Sequence, residues 1–431
     1  MDINTIAIII LISSFILLIL LRFPIALTLI ISSLATVIYL GVPWAVIGQQ
    51  MTQGMNSFSL LAIPFFILTG QIMSEGGLAL RIVNLARLLV GRVRGGLAMV
   101  NSVASLFFGN ISGSAVADVS SVGSVMIPMM KKQGYEADYS VGVTIASAIQ
   151  GVVVPPSHNL VLYSLAAGGV SIASLFMAGI VPGVIMLIAL MTTAYVIARK
   201  RGYQKAEPVP KAEIGSVLLH GFLSLSPAVI ILGGILSGWF TATESGALAC
   251  LYSFILAFGI YRDAPLRSIG KILIRTLRTV SMVFFLIAAS ASFGWILAYL
   301  QVPAMVTDLF LAVSDNPLVI LLIINILLLL LGAPMDMAPM ILIMTPILLP
   351  VVTSFGMDPV HFGIVLILNA GIGLITPPVG TVLFVGCAIG KVTIQQGTKA
   401  MLPFFYALLI VLLIITYIPE VVMWLPNMLA K

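Results

Sequence analysis

Gly151-Val152-Val153-Val154-Pro155-Pro156-Ser157-His158-Asn159 is the stretch whose reading decides the fold, because its plan recurs as Gly373-Leu374-Ile375-Thr376-Pro377-Pro378-Val379-Gly380-Thr381. The offset is 377 − 155 = 222, and it holds without gaps outward from the double prolines. It pairs Pro128 with Pro350, Gly134 with Gly356, Glu136 with Asp358 and Gly168 with Gly390. A shared glycine is cheap in a chain with 38 of them, but a double proline and an acidic position in the same register are not. Proline has no amide hydrogen and clashes with the preceding helical turn, so each stretch reads as a helix broken at its middle with backbone carbonyls set free.

The surroundings of both breaks are apolar. The chain of 431 residues is 61% hydrophobic and only 8% charged, against roughly 25% charged in an ordinary soluble domain. Its mean hydropathy is +1.20. Apolar runs of about 17 residues or more, enough to cross the hydrocarbon core, recur from end to end. A soluble fold is excluded, and an all-α polytopic membrane protein follows. The net charge of +6 is no nucleic-acid patch, since the 20 Lys and Arg are confined to short segments between apolar runs, as topology requires. Cys250 and Cys387 lie inside apolar runs and read as small packing residues rather than as a disulfide or metal site. The run up to Leu21 lacks a basic leader and a small-residue cleavage site, and so reads as a first spanning helix.

Spanning helices are expected at 4–21, 24–40, 58–74, 138–165, 172–198, 216–237, 245–261, 279–300, 360–386 and 402–419. Two apolar segments, 96–130 and 317–350, are too long for one crossing and are interrupted by Gly109-Asn110-Ile111-Ser112-Gly113-Ser114 and by Gly332-Ala333-Pro334-Met335-Asp336. Both read as re-entrant hairpins. The first runs from Arg81, Arg87, Arg92 and Arg94 to Lys131 and Lys132, which puts both its ends in the cytoplasm. The second has no Lys or Arg between Arg278 and Lys391 and is flanked by Asp308, Asp315 and Asp358, so it opens outward. Further basic groups, at 199–211 and 262–278, fit if both termini are periplasmic. Trp44, Trp239, Trp295 and Trp424 then fall near outer helix ends, where amphipathic rings prefer to sit. Five spanning helices and one hairpin per half, over 1–215 and 216–431, put the second copy upside down, the inverted-repeat plan of many secondary transporters.

Carbonyls freed by the breaks cannot face lipid, so they line protein or a wet cavity, where with a hydroxyl they suit a small hard cation. One cation site per repeat is expected: Ser112 with Gly151, Val154 and Pro156, and Gly332 with Gly373 and Thr376. The plainer alternative is that Pro-Pro only kinks a helix for packing. Asp118 and Asp336 are ionisable groups inside the hairpins and are candidates for substrate or ion contact. A helix cap at a wet tip is the alternative for each. Asn110 and Ser114 at the first hairpin's break, with His158, Asn159 and Asn369, complete the substrate-side candidates, although each polar group alone also suits an interhelical hydrogen bond. Glu244 in Thr241-Ala242-Thr243-Glu244 reads as a helix cap. Ser157, His158 and Asp118 could be imagined as a triad, but no Gly-x-Ser-x-Gly or His-Glu-x-x-His occurs and an enzyme is not expected.

At these segments, and over nearly its whole length, the chain resembles the large membrane subunit of tripartite ATP-independent periplasmic (TRAP) transporters. The likeness rests on Phe58 to Phe66 (FSLLAIPFF), Ser112 to Asp118 (SGSAVAD), Pro155-Pro156-Ser157, Leu175 to Gly183 (LFMAGIVPG), Thr241 to Glu244, and Thr376 to Gly380 (TPPVG). The resemblance implies an inner-membrane permease with sodium as the coupling ion and no other cofactor. It implies uptake of an organic acid by an elevator motion of hairpins and broken helices. It also implies two partners: a small membrane subunit, expected here as a separate chain, and a periplasmic substrate-binding protein, for which segments 41–57, 301–316 and 351–358 are the docking candidates. After Pro155-Pro156-Ser157 stands His158-Asn159, where C4-dicarboxylate relatives typically carry apolar residues, so sialic acid or another sugar acid is favoured and a C4-dicarboxylate comes next. Two alternatives stay open: a stand-alone ion-coupled carboxylate symporter, and a non-transporting scaffold or intramembrane enzyme.

Overall fold

The computed structural model describes residues 2–206 and 209–429. Among them the protein is helical, with one isolated bridge between Arg94 and Lys205. In chain order the helices of the first half are α1 Ile3–Leu20, α2 Ile25–Tyr39, α3 Ala45–Met55, α4 Ala62–Glu75, α5 Leu78–Val90, α6 Gly96–Ser112, α7 Ala115–Asp118, α8 Ser124–Lys132, α9 Ala137–Ala148, α10 Gln150–Val153, α11 His158–Ala166 and α12 Ile172–Lys200. Those of the second half are α13 Ile214–Leu236, α14 Ala242–Phe254, α15 Ser268–Tyr299, α16 Val302–Val313, α17 Pro317–Gly332, α18 Met337–Ser354, α19 Pro359–Gly373, α20 Thr381–Gly390, α21 Ile394–Tyr417 and α22 Pro419–Leu429. The starts of α9 and α19 differ by 222 residues, as do those of α12 and α21 and the ends of α8 and α18.

Eight helices, or nine when the bent pair Ala137–Val153 and His158–Ala166 is joined, are long and apolar enough to cross a membrane among the described residues. Burial sorts them into layers. The spanning stretch of α1 is 11% buried and that of α13 28%, so both are peripheral; α19 is buried at every residue from His361 to Gly373 and α9 from Tyr139 to Ala148. A helix apolar all round is what lipid on one side and protein on the other both permit. The centre therefore holds the broken helices, and they carry polar residues there.

The first arm of each interrupted segment is tied to the broken helix beside it by buried polar side chains. Asn101 Nδ2 of α6 donates to Thr144 Oγ1 of α9 at 2.5 Å, and the Ser102 and Ser147 hydroxyls pair at 2.9 Å. In the second half Asn369 Nδ2 of α19 donates to Asn325 Oδ1 of α17 at 2.8 Å, and Asn325 Nδ2 donates to Thr416 Oγ1 of α21 at 3.1 Å. Away from water such pairs hold two helices in one rotation and register.

The connections follow local chemistry. Thr241 caps α14 in a reciprocal box with Glu244, the cap read at those residues in the sequence. Thr393 and Gln396 do the same for α21. At the base of the first hairpin, Tyr135 stacks on Tyr203 with ring centroids 4.3 Å apart, and Arg201 pairs with Glu136. Burial pushes the Tyr135 phenol up to about 12.

Several boundaries differ from expectation. Helix α15 begins at Ser268, not 279, because Lys271, Arg275 and Arg278 interrupt the apolar run without interrupting the helix. Helix α21 begins at Ile394 rather than 402, set by its capping box. The short helices α3 and α22 fall outside the expected spans. Cys250 and Cys387 are free and buried.

Candidate functional site

Both interrupted segments are helix–turn–helix. In the first, α6 ends at Ser112, Gly113 takes φ +61, and Ser114 caps α7 by accepting from the Ala117 amide at 3.3 Å. The returning arm then passes through a π-helical turn, Val119–Gly123, before α8. In the second, α17 ends at Gly332, and Asp336 caps α18 by accepting from the Met337 amide at 2.9 Å. Asp336 thus performs the capping role that was its alternative reading, and does so on the wall of a cavity.

The breaks lie against these ends. A Cβ built on Gly151 would stand 2.4 Å from the Cα and carbonyl carbon of Gly109, and one on Gly373 2.6 Å from the Cα, carbonyl carbon and oxygen of Gly332. Real Cβ atoms do not come so close, so only glycine lets hairpin and broken helix touch backbone to backbone at both places. Beyond each contact the chain leaves the helix: Val154 is extended at φ −72, ψ 128, and both Pro155-Pro156 and Pro377-Pro378 bonds are cis. The first break is seated on α12, where Gly179 faces the Val153 carbonyl and Gly183 faces the Val154 side chain.

A cavity of about 520 Å³ opens between the two hairpin ends and the α4–α15 pair. One wall is Ser112 to Ala117, Ser120 and Ser121 with His158 and Asn159 from the start of α11. A second is Asp336, Met337 and Ala338 with Leu374. The third is Gln71, Ser74 and Glu75 of α4 with Arg275 and Thr279 of α15. Arg275 donates to Glu75 in an ion pair, and the Ser74 and Ser121 hydroxyls pair across the first and third walls. Arg275 is the only Lys or Arg lining the cavity among the described residues.

Of the residues proposed from sequence, Ser112, Ser114, His158, Asn159 and Asp336 line this cavity. Asn159 Nδ2 donates to the Gly113 carbonyl at 2.8 Å, fixing the hairpin turn. Gly151, Val154 and Pro156 form the adjoining break, beneath the α6 end, and Gly332 meets Gly373 in the second half. The Ser112 hydroxyl donates to the Gly109 carbonyl at 3.2 Å and accepts from the Ser114 amide at 3.4 Å, and Thr376 Oγ1 donates to the Ile372 carbonyl at 2.8 Å, so each hydroxyl oxygen keeps at least one lone pair for a cation. Unpaired acceptors remain nearby. Asn110 Oδ1 near the first break and Asn369 Oδ1 on the second broken helix have no hydrogen-bond partner, and the buried Asp118 carboxylate near the first break has only the Ser105 hydroxyl beside it. Asp118 is fully buried, and its carboxyl carbon would lie 3.7 Å from a Cβ on Gly109. It sits behind the hairpin turn rather than on the cavity wall, and Asn369 is held by Asn325 rather than facing the cavity. A hard cation is served by such oxygen donors.

Sequence reading missed Gly109, Gln71, Ser74, Glu75 and Arg275. Gly109 carried a signal, since it opens the interruption of the first hairpin. Glu75 and Arg275 carried none, being 200 residues apart at the ends of two apolar runs.

Comparison with known proteins bears on what this cavity serves. The family model described as "Tripartite ATP-independent periplasmic transporter, DctM component" matches residues 12–421. An uncharacterized protein, YgiK of Salmonella typhimurium, is 45% identical over 426 residues, 98% of each chain. The sialic acid TRAP transporter large permease protein SiaM of Vibrio cholerae is 42% identical, covering 94% of this chain and 95% of its own. The 2,3-diketo-L-gulonate TRAP transporter large permease protein YiaN of Escherichia coli is 36% identical, covering 93% and 94%. Among solved structures, the YdaH transporter of Alcanivorax borkumensis superposes with TM-score 0.62 at 14% identity, covering 86% of this chain and 87% of that one, a likeness of fold alone.

Proposed function

The chain belongs to the DctM-component family of tripartite ATP-independent periplasmic transporters, and from that premise we propose that it is the large permease subunit of a sodium-coupled importer of a sugar acid. Large-permease function and a multi-pass place in the inner membrane follow from the family. The substrate class, the coupling ion and the mechanism are the proposal.

The observation that carries it is the single cavity on which both hairpin ends and the start of α11 converge. Its hydroxyl- and amide-bearing wall, from Ser112 to Ser121 with Asn159, suits a polyhydroxylated acid, the class of the acids for which the sialic acid and diketogulonate relatives are named. Sodium would be held by Ser112 with the carbonyls of Gly151, Val154 and Pro156, and by Thr376 with those of Gly332 and Gly373. Positive charge favours each break because a half-helix C-terminus leaves carbonyls unpaired there. If sodium charges exceed substrate charges, uptake gains about 2.3 kcal/mol per net charge per 100 mV.

The two halves, 1–215 and 216–431, act as inverted repeats, with hairpins and broken helices moving as an elevator against the remainder. The termini are periplasmic by the placement of basic residues, so the cavity, with Arg275 near its rim, opens to the cytoplasm. A small membrane subunit and a periplasmic binding protein complete the transporter, as the family implies.

The test is uptake of radiolabelled N-acetylneuraminate and of succinate into proteoliposomes, with small subunit and binding protein supplied or withheld, with and without an inward sodium gradient. Uptake of the sugar acid that needs both partners and sodium is expected. Uptake by this chain alone would replace the reading with a stand-alone symporter, and succinate uptake would move the substrate class.

A further inference from the structure

The Glu75–Arg275 pair is not demanded by the packing of the helices that carry it. The positions 222 residues away are Leu297 and Gln53, an apolar and a neutral residue. A smaller cavity of about 190 Å³, lined by Gly54, Ser290 and Gly294 near those positions, has no charged residue on its wall. Equivalent helices therefore pack without an ion pair.

The pair is also unsaturated. Glu75 engages Arg275 only at Nη1, and a guanidinium offers five N–H donors in a planar fork. The side chains stay 47% and 30% exposed for Arg275 and Glu75, with the polar wall of the first hairpin across the cavity. A cation with free donors, alone of its kind on a cavity wall, is a carboxylate receptor whose first occupant is the protein's own carboxylate.

We propose that Arg275 receives the carboxylate of the transported acid and that Glu75 is its built-in competitor. The inference rests on reading the cavity as an organic-acid chamber. The acid bridges the walls, its carboxylate on Arg275 and its hydroxyls on the hairpin side. Glu75 weakens the bound state and reclaims Arg275 when the acid leaves, which favours release over retention.

The experiment places a reporter at Ser120, an exposed hydroxyl on the opposite wall, as Ser120→Cys in the full chain. The native cysteines are buried and give the background rate. Labelling is timed with an anionic (sulfonatoethyl) and a cationic (trimethylammonioethyl) methanethiosulfonate, in backgrounds carrying Glu75→Gln, Arg275→Gln, Arg275→Lys or the Glu75→Gln/Arg275→Gln double substitution. The double variant leaves no lone charge, so it keeps the comparison open should a single variant misfold. The expected result is that Glu75→Gln speeds the anionic reagent several-fold relative to the cationic one, and that the gain vanishes without Arg275. N-acetylneuraminate should slow labelling, with half-protection at about tenfold higher concentration in Arg275→Gln and at an intermediate one in Arg275→Lys. A Glu75→Gln gain of equal size with and without Arg275, or protection unchanged by Arg275→Gln, would overturn the proposal. Loss of protection by every acid while the dependence of the Glu75 effect on Arg275 persists would support anion capture by Arg275 and count against the sugar-acid reading alone.

Discussion

Gly109 and Gly151 touch through their backbones: a Cβ on Gly151 would lie 2.4 Å from the Gly109 Cα. That contact is possible only between residues without side chains, and it sets the distance between the hairpin end and the first break. Gly332 and Gly373 repeat it in the second half. The Gly151→Ala and Gly373→Ala variants should each force the two backbones apart, costing about 1–3 kcal/mol. Sodium-dependent uptake should fall at least tenfold while the protein still reaches the membrane. Uptake within twofold of the parent in both variants would show that the contacts do not shape a site.

Hydroxyl removal at the breaks tests the cation assignment more locally. Ser112→Ala and Thr376→Ala each delete one oxygen, whose other partners are local: the Thr376 hydroxyl donates to the Ile372 carbonyl, and the Ser112 hydroxyl donates to neighbouring carbonyls and accepts a long bond from the Ser114 amide. The sodium concentration for half-maximal uptake should rise severalfold in each, with substrate affinity at saturating sodium less affected. An unchanged sodium titration in both would remove these residues from the sites.

Asn325 and Asn369 couple α17 to α19 in a buried amide pair. Asn369→Ala leaves the Asn325 carbonyl oxygen without that donor, a loss of about 1–3 kcal/mol where burial is complete, nearer 0.6 kcal/mol if the unfolded chain in the membrane finds another partner. Thermal unfolding in detergent should shift downward, and Asn325→Ala combined with it should cost less than the two single changes together, because the partners share one interaction.

Thr241 offers a control away from the cavity. Its side chain accepts from the Glu244 amide while the Glu244 carboxylate accepts from the Thr241 amide. Thr241→Ala should lower stability by about 1 kcal/mol and leave the substrate concentration for half-maximal uptake unchanged. A large change in that concentration would mean that α14 communicates with the cavity.

Much of the architecture was legible because it depends on local chemistry. Double prolines break helices wherever they fall, and the two interrupted segments turn at 113–114 and 333–336, where Gly113 takes a left-handed conformation and Ser114 and Asp336 cap the helices that follow. The capping box at Thr241 is likewise a three-residue relationship. Boundaries went astray where charge and helix disagree: Lys271, Arg275 and Arg278 looked like a loop and are helical, since a long charged side chain at the end of a span keeps the backbone hydrogen-bonded while its head reaches water.

The candidate site divides along the same line. Ser112, Gly151, Gly332, Gly373 and Thr376 are legible in the sequence because each lies within a few residues of a break. Asp118 and Asn369 stand out in the sequence by polarity alone, and the structure puts them behind the cavity wall, among buried groups. The sequence by itself determined that this chain is a membrane-embedded helical protein with two interrupted apolar segments and two helices broken at double prolines, because hydropathy, proline and glycine act over one or a few turns. Tertiary structure alone decided that both hairpins end on one cavity and that Glu75 meets Arg275 there, because those meetings depend on how separate helices pack, and a pairing across 200 residues leaves no local trace in composition or period.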